Sequence, residues 1–385
     1  MPKSLIALLR AVYLRFPEKI RPAMKAGFYW CLIRLKAIFL LRRVYTAKRV
    51  EFLYFGIAHL ERTELLGPGK EEVVVKTFCS LVSPGTEQAI LWGLPGMRHN
   101  FPFTPGYSGA GIVLKIGRSV NGFQVGQRVA GMIHHVSHET LSPSLVFEIP
   151  RGVSCEEASF IVLGIIALQG TRKARIVPGD RVAVVGQGLI GQLCCKLARL
   201  FGASEVIAIA SSRSREKMSL RGGADRFLSL AEGKQALREL RADAVLEAAG
   251  TPQAIVLACQ CAGKHARVSI IGSSRGLGRD VNVFDLIQQK MLTVIGAHSS
   301  TMPGKDPSQT RWTYDQEGRL FLELLQTGRL RVSDLITWRA RPADCNSVYE
   351  ALADGDREQV GILFDWRQGE TSSALETERR EGLVV

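Results

Sequence analysis

At 385 residues, with 46% hydrophobic and 22% charged residues, the chain has the size and composition of a globular protein with two full cores; a disordered or fibrous one is excluded. The net charge of +14 is concentrated in residues 1–50, which hold twelve Lys or Arg against Glu18 alone and carry +11 of it. The remainder is near neutral, so no nucleic-acid partner is expected. The eight cysteines form no CxxC pair and several sit in apolar segments, which argues against a disulfide frame or zinc knuckle and for reduced thiols in a cytoplasmic setting.

Residues 1–45 read as a basic, apolar extension ahead of the main fold. Ser4–Phe16 and Met24–Arg43 are separated by Pro17 and Pro22, and on a helix Lys25, Lys36 and Arg43 fall on one stripe. The longest uncharged apolar run, Ala26–Ile33, is too short to span a bilayer, and no signal-peptide cleavage site stands out. Three readings stay open: an interfacial anchor making peripheral membrane contact through residues 1–43, helices packed on the protein's own body, or a targeting leader or misassigned start.

From Val44 the chain reads as short strands with glycine turns. Val73–Phe78 is a strand after Gly67-Pro68-Gly69, and Ser83-Pro84-Gly85-Thr86-Glu87 is a loop opening a helix. Phe101–Gly111 leads into the strand Ile112–Ile116, and Phe123–Val129 is a turn plus a strand. Strands at this spacing predict a β-rich, barrel-like domain. Ala158–Lys173 is expected to be the helix that joins it to the next domain.

The stretch Arg181–Ala210 organises the second domain. An apolar strand, Val182–Val185, runs into Gly186-Gln187-Gly188-Leu189-Ile190-Gly191, followed by a helical pattern, Gly202 and a second apolar strand, Val206–Ile209. In that order a G-x-G-x-x-G predicts a dinucleotide site: Gly186 for the tight turn, Gly188 for close approach of a pyrophosphate, Gly191 for helix–sheet packing. The helix start at Leu189 and Ile190 would offer N–H groups and the positive dipole end to the phosphates. After the second strand comes Ser211-Ser212-Arg213-Ser214-Arg215, with no carboxylate before Glu216. The missing acid and the presence of Ser212, Arg213 and Arg215 favour NADP(H) over NAD(H); the plain alternative is that the arginines are solvated charges.

Alternation then continues. Ala244–Ala248, Ala266–Ile271 and Leu292–Ala297 read as strands, with helices at Pro252–Ala262 and Leu286–Met291 between them. Gly272 and Ser273 open a loop, Gly272–Gly276, expected beside the cofactor, and His298 is expected to wall the nicotinamide pocket. Repeated βα units predict a Rossmann-type doubly wound parallel sheet. Helices at Phe321–Leu325 and Asp344–Ala353 and a last strand at Val360–Phe364 follow; residues 367–385 lack apolar periodicity and read as a flexible tail.

These features together resemble the medium-chain dehydrogenase/reductase superfamily, of the zinc-type alcohol dehydrogenase kind, over about residues 46–366. The resemblance rests on the strand-rich first part, VGQRV, VPGDRVAVVGQGLIG and the later strands, and more narrowly on the branch with SPGTE and PGYSGAG motifs, some members of which act on secondary alcohols of sugars or cyclitols. It implies an α/β protein: a GroES-like β-rich catalytic domain at 46–165 with 301–366, a Rossmann domain at 166–300, and a homodimer through Leu292–Ala297. The family's zinc ligands are missing: Pro84 stands where a Cys is expected, Gly106-Tyr107-Ser108 where relatives read GHE, and Leu163-Gly164 offers no third ligand. The four-cysteine lobe of a structural zinc is also absent. No metal is therefore expected, at the cleft or at the His134, His135, His138 cluster, which reads as hydrogen-bonded surface or a substrate wall.

Hydride transfer to a carbonyl without zinc needs donors for the developing alkoxide. The resemblance brings Tyr107, Ser83, Thr86, Glu87 and His138 near the cleft: Tyr107 in a zinc ligand's place, Thr86 matching a proton-relaying hydroxyl, Glu87 matching an acidic residue that organises the loop, and His138 suited to proton exchange near neutral pH. The expected function is a zinc-independent, NADP(H)-dependent dehydrogenase or reductase acting on a small secondary alcohol or ketone. Two alternatives stand beside it: reduction of an enone or quinone, and a cofactor-binding, membrane-associated protein without catalysis.

Overall fold

The computed structural model describes residues 34, 43–95, 100–232, 237, 239–278, 281–303, 312–355 and 358–368. Strands β1 (Val44–Tyr54) and β2 (Ile57–Leu66) form an antiparallel hairpin. Its turn needs Gly56, whose φ of +73° an L side chain rarely adopts. β3 (Val73–Leu81) follows and runs longer than the sequence predicts; almost every residue in it is buried, as suits a strand covered on both faces. Next come helix α1 (Pro84–Leu91) and strands β4 (Gly109–Ile116), β5 (Arg128–Gly131), β6 (His138–Leu141) and β7 (Val146–Glu148).

The expected helix Ala158–Lys173 is two helices, α2 (Cys155–Ala158) and α3 (Ile161–Lys173). Ser154 and Glu157 close a capping box that starts α2 early. At the break, the Ser108 hydroxyl donates to the Ser159 carbonyl at 2.5 Å and accepts from the Val162 N–H at 3.2 Å, replacing helical bonds.

The second sheet contains β8 (Arg181–Val185), β9 (Glu205–Ala210), β10 (Arg226–Ser229), β11 (Ala242–Glu247), β12 (Ala262–Ile270) and β13 (Thr293–Gly296). Helices α4 (Leu189–Leu200), α5 (Glu216–Arg221) and α6 (Pro252–Cys261) lie between its strands in sequence. All pairs are parallel, in the order β10-β9-β8-β11-β12-β13, a doubly wound Rossmann sheet whose connectivity reverses between β8 and β11. The helix expected at Leu286–Met291 is a single wide turn, Phe284–Gln288.

After α7 (Tyr314–Gln326), strand β14 (Ile336–Ala340) and helix α8 (Cys345–Ala353), β15 (Gly361–Asp365) returns to the first sheet. That sheet runs β14-β15-β3-β4-β5-β7, with β6 also on β3. It is the GroES-like, β-rich part of the molecule. One core runs from Leu81, Ala110 and Phe147 of this sheet through Ile161 and Leu168 of α3 to Val182 and Leu193 of the second. α7 closes on α3 at Gly164, where an added Cβ would stand 2.2 Å from the Phe321 ring.

The extension lies outside the described residues except for Arg34, which donates to Glu64 of β2 at 2.8 Å, and for the start of β1. The tail beyond Gln368 also lies outside them. Among the described residues no helix is long and apolar enough to cross a membrane.

Candidate active site

The glycine turn sits at the carboxyl end of β8, where an open α/β sheet forms its crevice. Gly186 has φ +93°, and a Cβ there would stand 2.7 Å from the Ala249 nitrogen. A Cβ on Gly191 would fall 1.8 Å from the Gly186 carbonyl oxygen, so helix and strand close on each other. At Gly188 the nearest atom is Arg215 Nη1, 3.8 Å away, which leaves the mouth of the turn open. Gly188 caps α4 without a side-chain hydrogen bond, so the N–H groups of the first turn, at Leu189 and Ile190, face that mouth without a capping acceptor.

Two cavities meet at the turn. One, of about 810 Å³, runs along the ends of β8 and β9 and is lined by Gly186, Ser211, Ser212, Ser214, Arg215 and Thr251 with an apolar wall from α6. The other, of about 460 Å³, lies between the sheets and is lined by Gly188, Leu189 and Ile190 at one end and by Ser83, Thr86, Tyr107 and Arg275 at the other, with Gly272 and Ser273 alongside. Arg215, Gly186 and Ala249 border both. Arg215 donates to the Gln187 and Gln359 carbonyls, each at 3.1 Å.

At the far end the Tyr107 phenol donates to Ser83 Oγ at 2.6 Å. Burial pushes its pKa up; hydrogen bonds to Ser83 and Thr86 and the Arg275 charge pull the other way without cancelling it. Tyr107 therefore keeps its proton at neutral pH. Beneath this end, Glu87 is buried in a closed network. Its carboxylate accepts from the Ser83 N–H at 2.8 Å and the Tyr349 hydroxyl at 2.6 Å, and lies 3.1 Å from His135 Nε2. His135 in turn meets Ser80 at 2.8 Å. Glu87 thus shapes the loop that carries Ser83 and does not line the cleft.

Three expected site residues lie elsewhere. His138 is buried on β6 beside Lys76 of β3, with Nδ1 3.0 Å from Ser137 Oγ; strand pairing, not the cleft, holds it. His298 is exposed past β13 and turns back on Ser300 at 2.7 Å instead of walling the pocket. Arg213 pairs with Glu216 at 2.6 Å on the surface and lines neither cavity, because the i,i+3 spacing of a helical turn favours that local partner. The histidine cluster is no shared surface either: His134 meets Glu139 at 2.6 Å, His135 is fully buried, and the three point to separate partners.

Two residues were not anticipated. Arg275, in the loop after β12, enters the cleft with its Nη2 3.4 Å from where a Cβ on Gly85 would stand. Glu247, at the end of β11, is fully buried and accepts the N–H groups of Ala249 and Gly250 at 2.8 and 2.7 Å, fixing the loop where the cavities meet. Burial raises its pKa against the pull of those N–H groups. The GSSRG motif marks the first of these loops in the sequence; no local pattern marks Glu247, or brings Tyr349 to Glu87.

Zinc is bound by three or four Cys, His or carboxylate groups. The donors at the far end of the cleft are a phenol, two hydroxyls and a guanidinium, which do not fit that requirement. Among the described residues no group of three or more His, Cys, Asp or Glu is placed to hold a metal ion.

With its β-rich sheet, its doubly wound sheet and a cleft between them, the chain belongs to the medium-chain dehydrogenase/reductase superfamily. Residues 69–145 match the family model of the alcohol dehydrogenase GroES-like domain, and residues 190–312 that of the zinc-binding dehydrogenase. Among individual relatives, galactitol 1-phosphate 5-dehydrogenase of Escherichia coli K12 is 34% identical over 42% of this chain and 49% of its own length, so the match spans about half of that protein. D-guloside 3-dehydrogenase of the same strain is 26% identical over 66% of this chain and 75% of its own. The crystal structure of galactitol-1-phosphate dehydrogenase from E. coli superposes with a TM-score of 0.72 at 23% identity, covering 83% of this chain and 99% of that one. A protein of Sinorhizobium meliloti 1021 described as a zinc-binding dehydrogenase, bound to NADP, gives 0.71 at 21% with the same coverage.

Proposed function

We propose that the chain is a zinc-independent, NADP(H)-dependent oxidoreductase that interconverts a small secondary alcohol and its ketone. The observation that carries this reading is the pair of cavities joined at Gly186 and Arg215, with a proton-bearing Tyr107 at the far end. The fit to a dinucleotide rests on the open turn at Gly188, the uncapped start of α4 and the cavity along β9. There Ser211, Ser212, Ser214 and Arg215 replace the acid that would select the unphosphorylated ribose. The named activities of the relatives support a nicotinamide-dependent oxidoreductase; one solved neighbour carries NADP and another NADH.

When bound, the dinucleotide supplies or accepts the hydride. The chain's part is positional and protic. Leu163, Ile166 and Ile271 keep the cleft apolar between its two polar ends. In ketone reduction the Tyr107 hydroxyl turns its hydrogen from Ser83 to the substrate oxygen, and the Ser83 and Thr86 hydroxyls then donate to the phenolate oxygen left behind, which takes a new proton from water before the next turnover. No step calls on a metal. A homodimer through the edge strand β13 and a cytoplasmic location, with or without membrane contact, belong to the same proposal.

The test is an NADPH and an NADH titration of the purified chain beside its metal content, then assays of ketone and enone reduction. Expected are at least about tenfold tighter binding of NADPH, a gap of 1.4 kcal/mol, and ketone turnover that survives a chelator. Stoichiometric zinc required for turnover, or indifference to both nucleotides, overturns the reading. Turnover of enones alone replaces the substrate class.

A further inference from the structure

Among the described residues that line it, the cleft between the sheets carries two cations and no anion: Arg215 at the glycine turn and Arg275 at the opposite end. The two differ in how they are held. Arg215 spends its guanidinium on two backbone carbonyls. Among the described residues Arg275 is anchored through its backbone, whose N–H meets the Gly250 carbonyl at 3.2 Å. Its side chain is half-buried and reaches the loop carrying Gly85, and its Nε–H is buried without a hydrogen-bond partner among the described residues.

A half-buried guanidinium with an unsatisfied donor is costly unless something negative meets it. The nearest carboxylate of the loop network is not available. Glu87 is 1% exposed and already serves Ser83, Tyr349 and His135. Among the described residues the charge that bears on Arg275 is that of Tyr107, and burial keeps its phenol neutral at physiological pH. Arg215 lies at the turn where the dinucleotide phosphates are expected, so Arg275 faces what enters from the other side.

We propose that Arg275 is the anion-binding residue of the substrate end of the cleft, so that the substrate is an alcohol or ketone bearing a carboxylate or a phosphate. A guanidinium presents two parallel N–H donors to either group, which fixes the orientation of the molecule as well as its charge. With the anion held there, the hydroxyl-bearing carbon lies on the Tyr107–Ser83 side. This inference rests on the reading of the cleft as a substrate site.

The experiment measures equilibrium binding of glucitol, glucitol 6-phosphate and gluconate to the NADPH-saturated full-length chain, followed by kcat and KM, with NADP+ as the hydride acceptor, for any that turns over. Arg275→Ala, Arg275→Lys and the parent are compared. Expected is at least tenfold tighter binding of the two anions than of glucitol, a preference that falls about 10- to 100-fold in Arg275→Ala and is partly kept in Arg275→Lys. NADPH affinity and melting temperature stay within error of the parent, which shows that the variants are folded. Equal binding of glucitol and the anions by the parent overturns the proposal, as does a preference that survives Arg275→Ala. Parallel loss of NADPH in that variant assigns Arg275 to the cofactor instead, and also overturns it. Anion discrimination without turnover keeps this inference and sinks the oxidoreductase reading; turnover of neutral alcohols without discrimination does the reverse.

Discussion

Gly188 and Gly191 stand three residues apart and fail in different ways. A side chain at Gly188 has room, so Gly188→Asp is expected to leave the melting temperature nearly unchanged while abolishing NADPH binding, because the carboxylate occupies and repels the pyrophosphate position. Gly191→Ala drives a methyl into the Gly186 carbonyl and is expected to lower stability first. Calorimetry on the two variants checks the contrast. At the other end, Tyr107→Phe is expected to lower kcat for ketone reduction by about a hundredfold with NADPH affinity unchanged. Because the phenol is held above its usual value, the parent rate should stay flat through pH 9 and fall only as the proton is lost at higher pH. A pH–rate profile with a break near neutrality would remove Tyr107 as the donor. The glycines were readable from the sequence because their spacing is itself the geometry. The Arg275 role was not, since an arginine in a loop reads as solvated until the facing loop at Gly85 is known.

Between elements, the joint of α3 with α7 sets how the two sheets sit across the cleft. Arg172 donates to Glu317 at 2.7 and 3.1 Å and lies 3.7 Å over the Trp312 ring, while Glu317 is fully buried. Arg172→Ala leaves that carboxylate without its counter-charge and is expected to cost roughly 3 kcal/mol in chemical denaturation. Arg172→Ala with Glu317→Gln should recover part of it, and no recovery would mean that the ring contact dominates. The strands and helices were legible where period and punctuation agree, as from β8 to β9. They were not where side chains override the pattern: Ser108 breaks one predicted helix into α2 and α3 from 51 residues away along the chain. His138 was expected near the cleft by resemblance and His298 by its position after the last strand of the second sheet, while strand pairing and a local turn decide where each ring goes.

At the scale of the whole molecule, six buried thiols among the described residues bear on stability, Cys259 being raised by burial along with the five that follow. Burial pushes Cys345 up to about 11 and Cys195 and Cys261 up to about 12, with Cys79 and Cys194 higher still. In the unfolded chain each ionises near 8.5. The folded form therefore holds protons that the unfolded form releases, and stability falls as pH rises above that value. Melting temperatures measured in reductant from pH 7 to 10 should decline progressively beyond about pH 8.5; a flat profile would mean that these thiols are not shielded.

The place of β15 has a consequence for biosynthesis. It fills the slot between β3 and β14, yet a ribosome makes it long after β3, with the whole second sheet in between. At roughly 5–20 residues per second, the Cys79–Leu81 end of β3 waits on the order of tens of seconds for its β15 partner, while β6 pairs the start of the strand. Nascent chains stalled before Gly361 should accordingly recruit holdase chaperones that chains with β15 in place release, and equal recruitment by both would mean that this gap in the sheet is not sensed.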